Sequence, residues 1–150
     1  MGISTEYLYR TFRNSNITAI DLSPYFISVA KLRAEEQRLD IQYFHRNAEK
    51  THFDDSSFDM ATYNFLMHEL PTQATKNVLA ESYRVISSGG MIAVVDLTPR
   101  ILKNKNVLNN FKRWAFEVTE PHIYGYYTRD MSLLLRETGF INVSVTQNDP

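Results

Sequence analysis

Asp21, Asn64 and Asp96 each close a short apolar run, Asn47 comes just after another, and a polar side chain at the end of a strand is well placed to meet a ligand. Asp21 follows Ile17 to Ile20. An acid there either accepts both ribose hydroxyls of a nucleoside or starts the turn into the helix that Ser23 and Pro24 announce. Asn47, Ala48 and Glu49 come just after the next apolar run, one helix and one strand beyond Asp21. They would face an adenine edge in the same crevice or serve as loop residues. The stretch from Asn64 to Leu70 follows a third run. Within it, His68 and Glu69 suit acid/base chemistry, or else a helix-start hydrogen bond and a charge that complements the helix dipole. Asp96 would face substrate or a neighbouring loop. Tyr124, Tyr126 and Tyr127, with Trp114 and Phe116 upstream, would wall an acceptor pocket or fill a core. His45, His52, His68 and His122 lack the spacing of a metal-ligand set.

The composition narrows the chemistry further. The chain has 150 residues, 43% of them apolar and 22% charged, the balance of a globular domain long enough to bury a core. Sixteen basic against seventeen acidic residues give a net charge of −1, which asks for neither nucleic acid nor an anionic membrane. The absence of cysteine removes disulfides, thiolate catalysis and cysteine-ligated zinc together. No apolar run approaches the ~20 residues that span a bilayer, and the N-terminus lacks a secretory pattern, so a soluble cytoplasmic or organellar protein is expected.

Positioning these residues falls to alternating helices and strands. A helix is expected from Met1 to Arg13, with Leu8 and Phe12 on one face and the charged Glu6 and Arg10 elsewhere. Strands are expected at Ile17 to Asp21, Ile41 to Phe44, Phe58 to Tyr63, Met91 to Val95 and Phe140 to Thr146. The unalternating apolar run of Met91 to Val95 suits a parallel strand covered on both faces. Between them, a helix capped by Ser23 runs to about Leu39 with Phe26, Val29 and Ala30 at core spacing. A second, marked by Leu70, Ala74, Val78 and Val85, stops at a left-handed cap on Gly89 and Gly90. Phe111, Trp114, Ala115 and Val118 predict a third, and Thr128 caps a last one that Gly139 closes. No linker or repeat divides the chain, so a single domain spanning residues 1–150 is expected. The alternation predicts a doubly wound, mostly parallel α/β sheet with ligands at the carboxyl ends of its strands.

Taken in order, the segments Ile17 to Pro24, Arg46 to Glu49, Phe58 to Ala61, His68 to Pro71, Arg84 to Gly90 and Val94 to Asp96 resemble the class I methyltransferases of ubiquinone and menaquinone biosynthesis. The resemblance covers about residues 17–100 and returns, more loosely, at Gly139 and Phe140. It implies a Rossmann-like sheet of strand order 3-2-1-4-5-7-6 and S-adenosylmethionine (SAM) as methyl donor. Carried over by position, Asp21 would bind the ribose and Leu22 would lie against adenine. Asn47 and Ala48 would contact the adenine edge, and Asn64 and Phe65 would line the methionine side. Asn47 stands where such proteins usually carry aspartate, but its side chain still offers an acceptor oxygen. The resemblance also implies a first strand and glycine-rich turn ahead of the first helix, with Gly2 as the last glycine of that turn. It further implies a last antiparallel strand beyond Val145, so the chain reads as a methyltransferase domain lacking its first strand, its glycine loop and its last strand.

The function expected from this is SAM-dependent methylation of a small-molecule or lipid-like acceptor, without an assigned catalytic base. Two alternatives stand beside it. One is a non-catalytic nucleoside-binding or interaction module, with self-association through an unpaired sheet edge. The other is a nicotinamide-dependent oxidoreductase, against which the missing dinucleotide fingerprint counts.

Overall fold

The computed structural model describes residues 2–97 and 118–146. They fall into two compact units that divide between His52 and Phe53.

In the first unit, α1 (Ile3–Thr11) leads to β1 (Ile17–Asp21), α2 (Pro24–Glu36) and β2 (Ile41–His45). The two strands are parallel, in register from Ile17 against Ile41 to Asp21 against His45. Ser23 caps α2 by accepting from the Phe26 N–H at 3.2 Å, with Pro24 in the first turn. That start sets the rotation of the helix. Ile27, Ala30 and Ala34 are the residues buried against Tyr43, whereas Phe26, expected in the core, is exposed. The helix also ends before Leu39, because Arg38 takes a left-handed conformation and the Leu39 N–H turns back to the Ala34 carbonyl. α1 departs from expectation as well. Phe12, expected on the apolar face with Leu8, is its exposed C-cap, and Glu6, expected away from that face, is buried with its carboxylate 2.9 Å from the Arg33 guanidinium. Burial works to raise the Glu6 pKa, but hydrogen bonds from Gln37 and Arg33 and the charges of Arg33 and Arg10 outweigh it and hold the carboxyl below its ordinary value.

The second unit contains β3 (Phe58–Asn64), a 3-10 turn (Met67–Glu69), α3 (Thr72–Val85), β4 (Ile86–Val95), α4 (Ile123–Thr128) and α5 (Met131–Thr138). β3 and β4 are parallel and pair from Met60 against Met91 to Asn64 against Val95. α3 buries Ala74, Thr75, Val78, Leu79, Ser82 and Val85. It stops at Val85, not at the glycine pair, because Ile86 is already extended and pairs with Phe58. Gly89 and Gly90 instead lie in the irregular stretch between the Phe58–Ile86 and Met60–Met91 pairs. Gly89 there has φ +84, and a Cβ on Gly90 would sit 2.6 Å from the Asp59 carbonyl oxygen. The strand they introduce is not covered throughout, since Met91 and Val95 project outward as exposed residues.

Two further expectations are corrected at the C-terminal side. Thr128 is the last residue of α4, not a cap; Asp130 caps α5 by accepting from the Leu133 N–H at 2.9 Å. Gly139, left-handed at φ +117, closes that helix as expected. Residues 140–146 form no strand. Among the described residues nothing pairs with them, Asn142 has positive φ, and Ile141 and Val145 are 83% and 67% exposed. Trp114, Phe116 and the helix predicted around Phe111 and Ala115 lie outside the described residues. Among the described residues, no helix is long and apolar enough to cross a membrane.

The sheets are therefore parallel and α/β in construction, but they are two two-stranded sheets, β1 with β2 and β3 with β4. Each has helices from its own unit packed against it.

Candidate functional site

In the first unit the candidate residues gather at the carboxyl end of β1 and β2. The Asp21 side chain is exposed, and its Oδ1 accepts from the Ser23 N–H at 2.7 Å, so the acid does start the turn into α2. Among the described residues no donor is recorded on its second carboxylate oxygen, which leaves that oxygen available to a hydroxyl. Asp21 also lines a small cleft of about 60 Å³ together with Gly2, Thr5, Ala19, Ala30 and Tyr43. That space holds a water molecule or two, not a nucleoside, so a nucleoside would lie over the open strand ends and reach the cleft only with its edge. Gly2 is left-handed at φ +76, and a Cβ on it would meet the Ala30 Cβ at 3.0 Å. The close approach of this backbone to α2 needs glycine there.

Leu22 is 63% exposed beside Asp21, an apolar surface on which a flat ring can rest. Its carbonyl accepts a hydrogen bond from His45 Nε2 at 2.9 Å, which binds the loop after β1 to the end of β2. The Arg46 N–H donates to the Asp21 carbonyl at 3.1 Å and continues this tie. Asn47 follows directly, exposed, with its Oδ1 accepting from the Glu49 N–H at 2.8 Å in a tight turn that includes Ala48. The structure thus brings Gly2, Asp21, Leu22, Asn47 and Ala48 to one end of one small sheet. It engages Asn47 partly as a turn former.

In the second unit, Asn64 and Phe65 end β3. Asn64 is exposed opposite Val95, and Phe65 donates its N–H to the Val95 carbonyl at 2.8 Å. Phe65 has φ +54, uncommon for an aromatic residue, and its ring is exposed. Strained backbone of this kind persists where surrounding structure holds it, often at ligand-facing turns.

The most developed cluster here is one whose members the sequence suggested only separately. Asp96, at the end of β4, has a side chain only 2% exposed. Its carboxylate accepts from the N–H groups of Met67, His68 and Leu97 at 2.8, 3.3 and 2.7 Å, and from the His68 ring at Nδ1 at 2.6 Å. The His68 side chain is 7% exposed, and its other nitrogen, Nε2, lies 3.8 Å from a carboxylate oxygen of Glu120. Tyr126 packs edge-on against the imidazole and donates its hydroxyl to the Leu97 carbonyl at 3.2 Å. Burial, with the Asp96 charge second, pushes the Tyr126 pKa up to about 12, so the phenol stays a donor. Tyr127, tilted against it, is raised for the same two reasons, while Tyr124 is exposed. Glu69 is exposed at the end of the 3-10 turn and takes no part.

Arg129 was not anticipated. Its guanidinium reaches the carbonyls of Met67 and Leu70 at 3.4 and 3.0 Å, the Thr72 hydroxyl at 3.3 Å and the Thr75 hydroxyl, pinning the turn that carries His68 to the start of α3. Its position just past α4, between a threonine and a helix-capping aspartate, carries no local signal of that role.

The profile of the family described as a methyltransferase domain matches residues 1–94. A demethylmenaquinone methyltransferase of Listeria welshimeri is 32% identical over 105 residues, covering 69% of this chain and 44% of its own. The ubiquinone/menaquinone biosynthesis C-methyltransferase UbiE of Desulfotalea psychrophila is 30% identical over 120 residues, covering 80% and 46%. The chain thus spans less than half the length of these curated relatives. Among solved structures, geranyl diphosphate C-methyltransferase of Streptomyces coelicolor, crystallised with Mg2+, geranyl diphosphate and S-adenosyl-L-homocysteine, superposes with a TM-score of 0.66 at 17% identity, over 91% of this chain and 49% of that one. With more than half of its residues matched by the family profile and the fold matched by such structures, this chain belongs to the methyltransferase-domain family and has a partial Rossmann-like class I methyltransferase fold.

Proposed function

We propose that this chain binds SAM through the strand ends of its first unit and serves methyl transfer to a small-molecule or lipid-like acceptor bearing an ionisable hydroxyl, such as a quinol. The observation that carries the reading is Asp21, an exposed carboxylate at the end of β1 with one oxygen committed to its own turn and the other open, in a chain of this family. The residues present suit the adenosine half of SAM. Asp21 would take the ribose hydroxyls, Leu22 would lie under the adenine, and Asn47 with Ala48 would meet its edge. Gly2 lets the backbone approach α2 without a side chain in the way. Bound SAM supplies an electrophilic methyl group on a sulfonium. The chain's own work is to hold that group, align an acceptor with it and exclude water. The quinone-pathway relatives support an aromatic hydroxylated acceptor.

Isothermal titration with SAM and with S-adenosylhomocysteine tests this. Asp21→Ala should weaken binding by about tenfold or more, since hydrogen bonds to a charged acceptor contribute about 1.5–3 kcal/mol each. Unchanged affinity would remove the ribose assignment. A second reading is nucleoside binding without transfer, since Asp21, Leu22 and Asn47 gather at the strand ends of the first unit alone. SAM binding with no methyl transfer to any hydroquinone would favour it.

A further inference from the structure

We propose that the Tyr43 hydroxyl is a second ribose contact, donating a hydrogen bond to the nucleoside diol whose protons Asp21 accepts. The proposal rests on the SAM-binding reading above and adds to it the residue that selects a sugar carrying both hydroxyls.

Tyr43 lies in the middle of β2, opposite Ala19 of β1 and two residues before the strand end, on the face that α2 covers. The residue is 6% exposed, and its buried hydroxyl has no hydrogen-bond partner among the described residues. The Thr5 side chain lies near it without completing a hydrogen bond. Buried polar groups are nearly always paired, and one left unpaired costs stability, so this phenol calls for a partner from outside the fold. Burial, and after it the negative charge of Glu6, raise the Tyr43 pKa above its ordinary value, so the hydroxyl keeps its proton and remains a donor.

The space beside this hydroxyl is the one that Asp21 also lines. Tyr43, Asp21 and Gly2 are walls of the same cleft of about 60 Å³. A Cβ on Gly2 would lie 3.4 Å from the Tyr43 hydroxyl oxygen, which puts the polar end of the side chain, not only its ring, at the Gly2 wall. All of these residues belong to the first unit.

The chemistry of the cleft selects its occupant. A ribose diol brings two O–H donors and the lone pairs of two oxygens. Asp21 has one carboxylate oxygen committed to the Ser23 N–H, and a carboxylate only accepts, so it serves the donors of the diol and not its lone pairs. The Tyr43 hydroxyl supplies the donor that Asp21 cannot. The carboxylates of Asp21 and Glu6 disfavour a phosphate or a carboxylate in the same place, so neutral hydroxyls fit where an anion does not. The volume, room for a water molecule or two, also suits a pair of hydroxyl groups reaching in from a sugar that lies over the strand ends.

The test is Tyr43→Phe, which removes one oxygen and keeps the ring in the core. Calorimetric titrations of both proteins use S-adenosylhomocysteine and its 2′-deoxy and 3′-deoxy forms, and thermal unfolding is followed with and without ligand. Because the hydroxyl is unpaired in the free chain, the ligand-free variant should unfold at the wild-type temperature or above it. It should bind S-adenosylhomocysteine about three- to tenfold more weakly, the loss expected for one neutral hydrogen bond, and gain less thermal stability from the ligand. For the deoxy form lacking the hydroxyl that Tyr43 meets, the two proteins should agree to within about twofold. A ligand-free variant that unfolds several degrees lower would show the hydroxyl already bonded inside the fold and would overturn the proposal. An equal loss for all three ligands would overturn it as well, because the phenol would then not be reading the diol. Weakening by Asp21→Ala with no effect of Tyr43→Phe removes the proposal alone. If the wild-type chain binds none of the three ligands, the SAM reading falls and takes this proposal with it.

Discussion

Replacing Asp96 by asparagine should cost this protein a large part of its stability, although the change alters one atom and keeps the shape. The aspartate serves four donors: on one oxygen His68 Nδ1–H and the Leu97 N–H, on the other the N–H groups of Met67 and His68. An amide retains a single acceptor oxygen. Whichever way it turns, at least one buried main-chain donor loses its acceptor: with the oxygen toward the Met67 and His68 N–H groups, the ring Nδ1 can accept from the amide but the Leu97 N–H faces an N–H. A buried donor left unpaired costs about 1–3 kcal/mol, so the substitution should cost at least about that much. That is a large fraction of the roughly 5–15 kcal/mol by which a domain exceeds its unfolded state. Urea denaturation followed by far-UV circular dichroism would report it as a lower midpoint with an unchanged slope. A loss below about 0.5 kcal/mol, the range of ordinary surface substitutions, would refute the view of Asp96 as the hub that holds the turn after β3 to the end of β4.

Two other outcomes are expected. Gly90→Ala places a Cβ 2.5 Å from the Ile86 side chain and 2.6 Å from the Asp59 carbonyl, so β3 and β4 must separate locally; a loss of about 1–3 kcal/mol in the same urea assay is expected, and a neutral result would mean the irregularity in β4 relaxes freely. Glu6 has a folded-state pKa below its unfolded value of about 4.3, so its contribution is complete above that value and disappears as pH falls through the folded one. Thermal midpoints should therefore drop below about pH 5 by less in Glu6→Gln than in the wild-type chain; parallel acid limbs would show that the pair with Arg33 does not stabilise the fold.

Local signals were enough to find β1 and β2. Ile17 to Asp21 and Ile41 to Phe44 are β-branched or aromatic runs bounded by polar residues, and the observed strands agree to within a residue. Ser23 followed by proline is a cap written in two adjacent residues, so it too was legible. Asp130 shows the limit of the same rule. Thr128 and Asp130 are both good caps by type, and only the position of the preceding helix decides between them. The glycine pair misled for a similar reason. Positive φ serves a helix end and an irregular strand equally, and the pairing of Ile86 with Phe58 that decides the matter joins residues far apart in sequence.

The candidate site divides along the same line. Asp21 and Asn64 could be picked out because a polar residue ending an apolar run is a pattern within a few positions of chain, and Asn47 because it comes just after such a run. The role of Asp96 and His68 could not, since each by itself is an ordinary strand-end acid and an ordinary helix-start histidine. What makes them a pair is parallel pairing of β3 with β4, which sets Asn64 opposite Val95 and so brings the turn after one strand onto the residue after the other. Arg129 is the extreme case, its four partners lying at least 54 positions away. The sequence by itself determined the alternation of elements, the family and the strand-end acid at 21, because periodicity, caps and ordered motifs are local properties of the chain. Tertiary structure alone decided that Asp96 holds His68 and that Arg129 pins the turn between β3 and α3, because hydrogen bonds between elements depend on register, and register is fixed only when the strands pair.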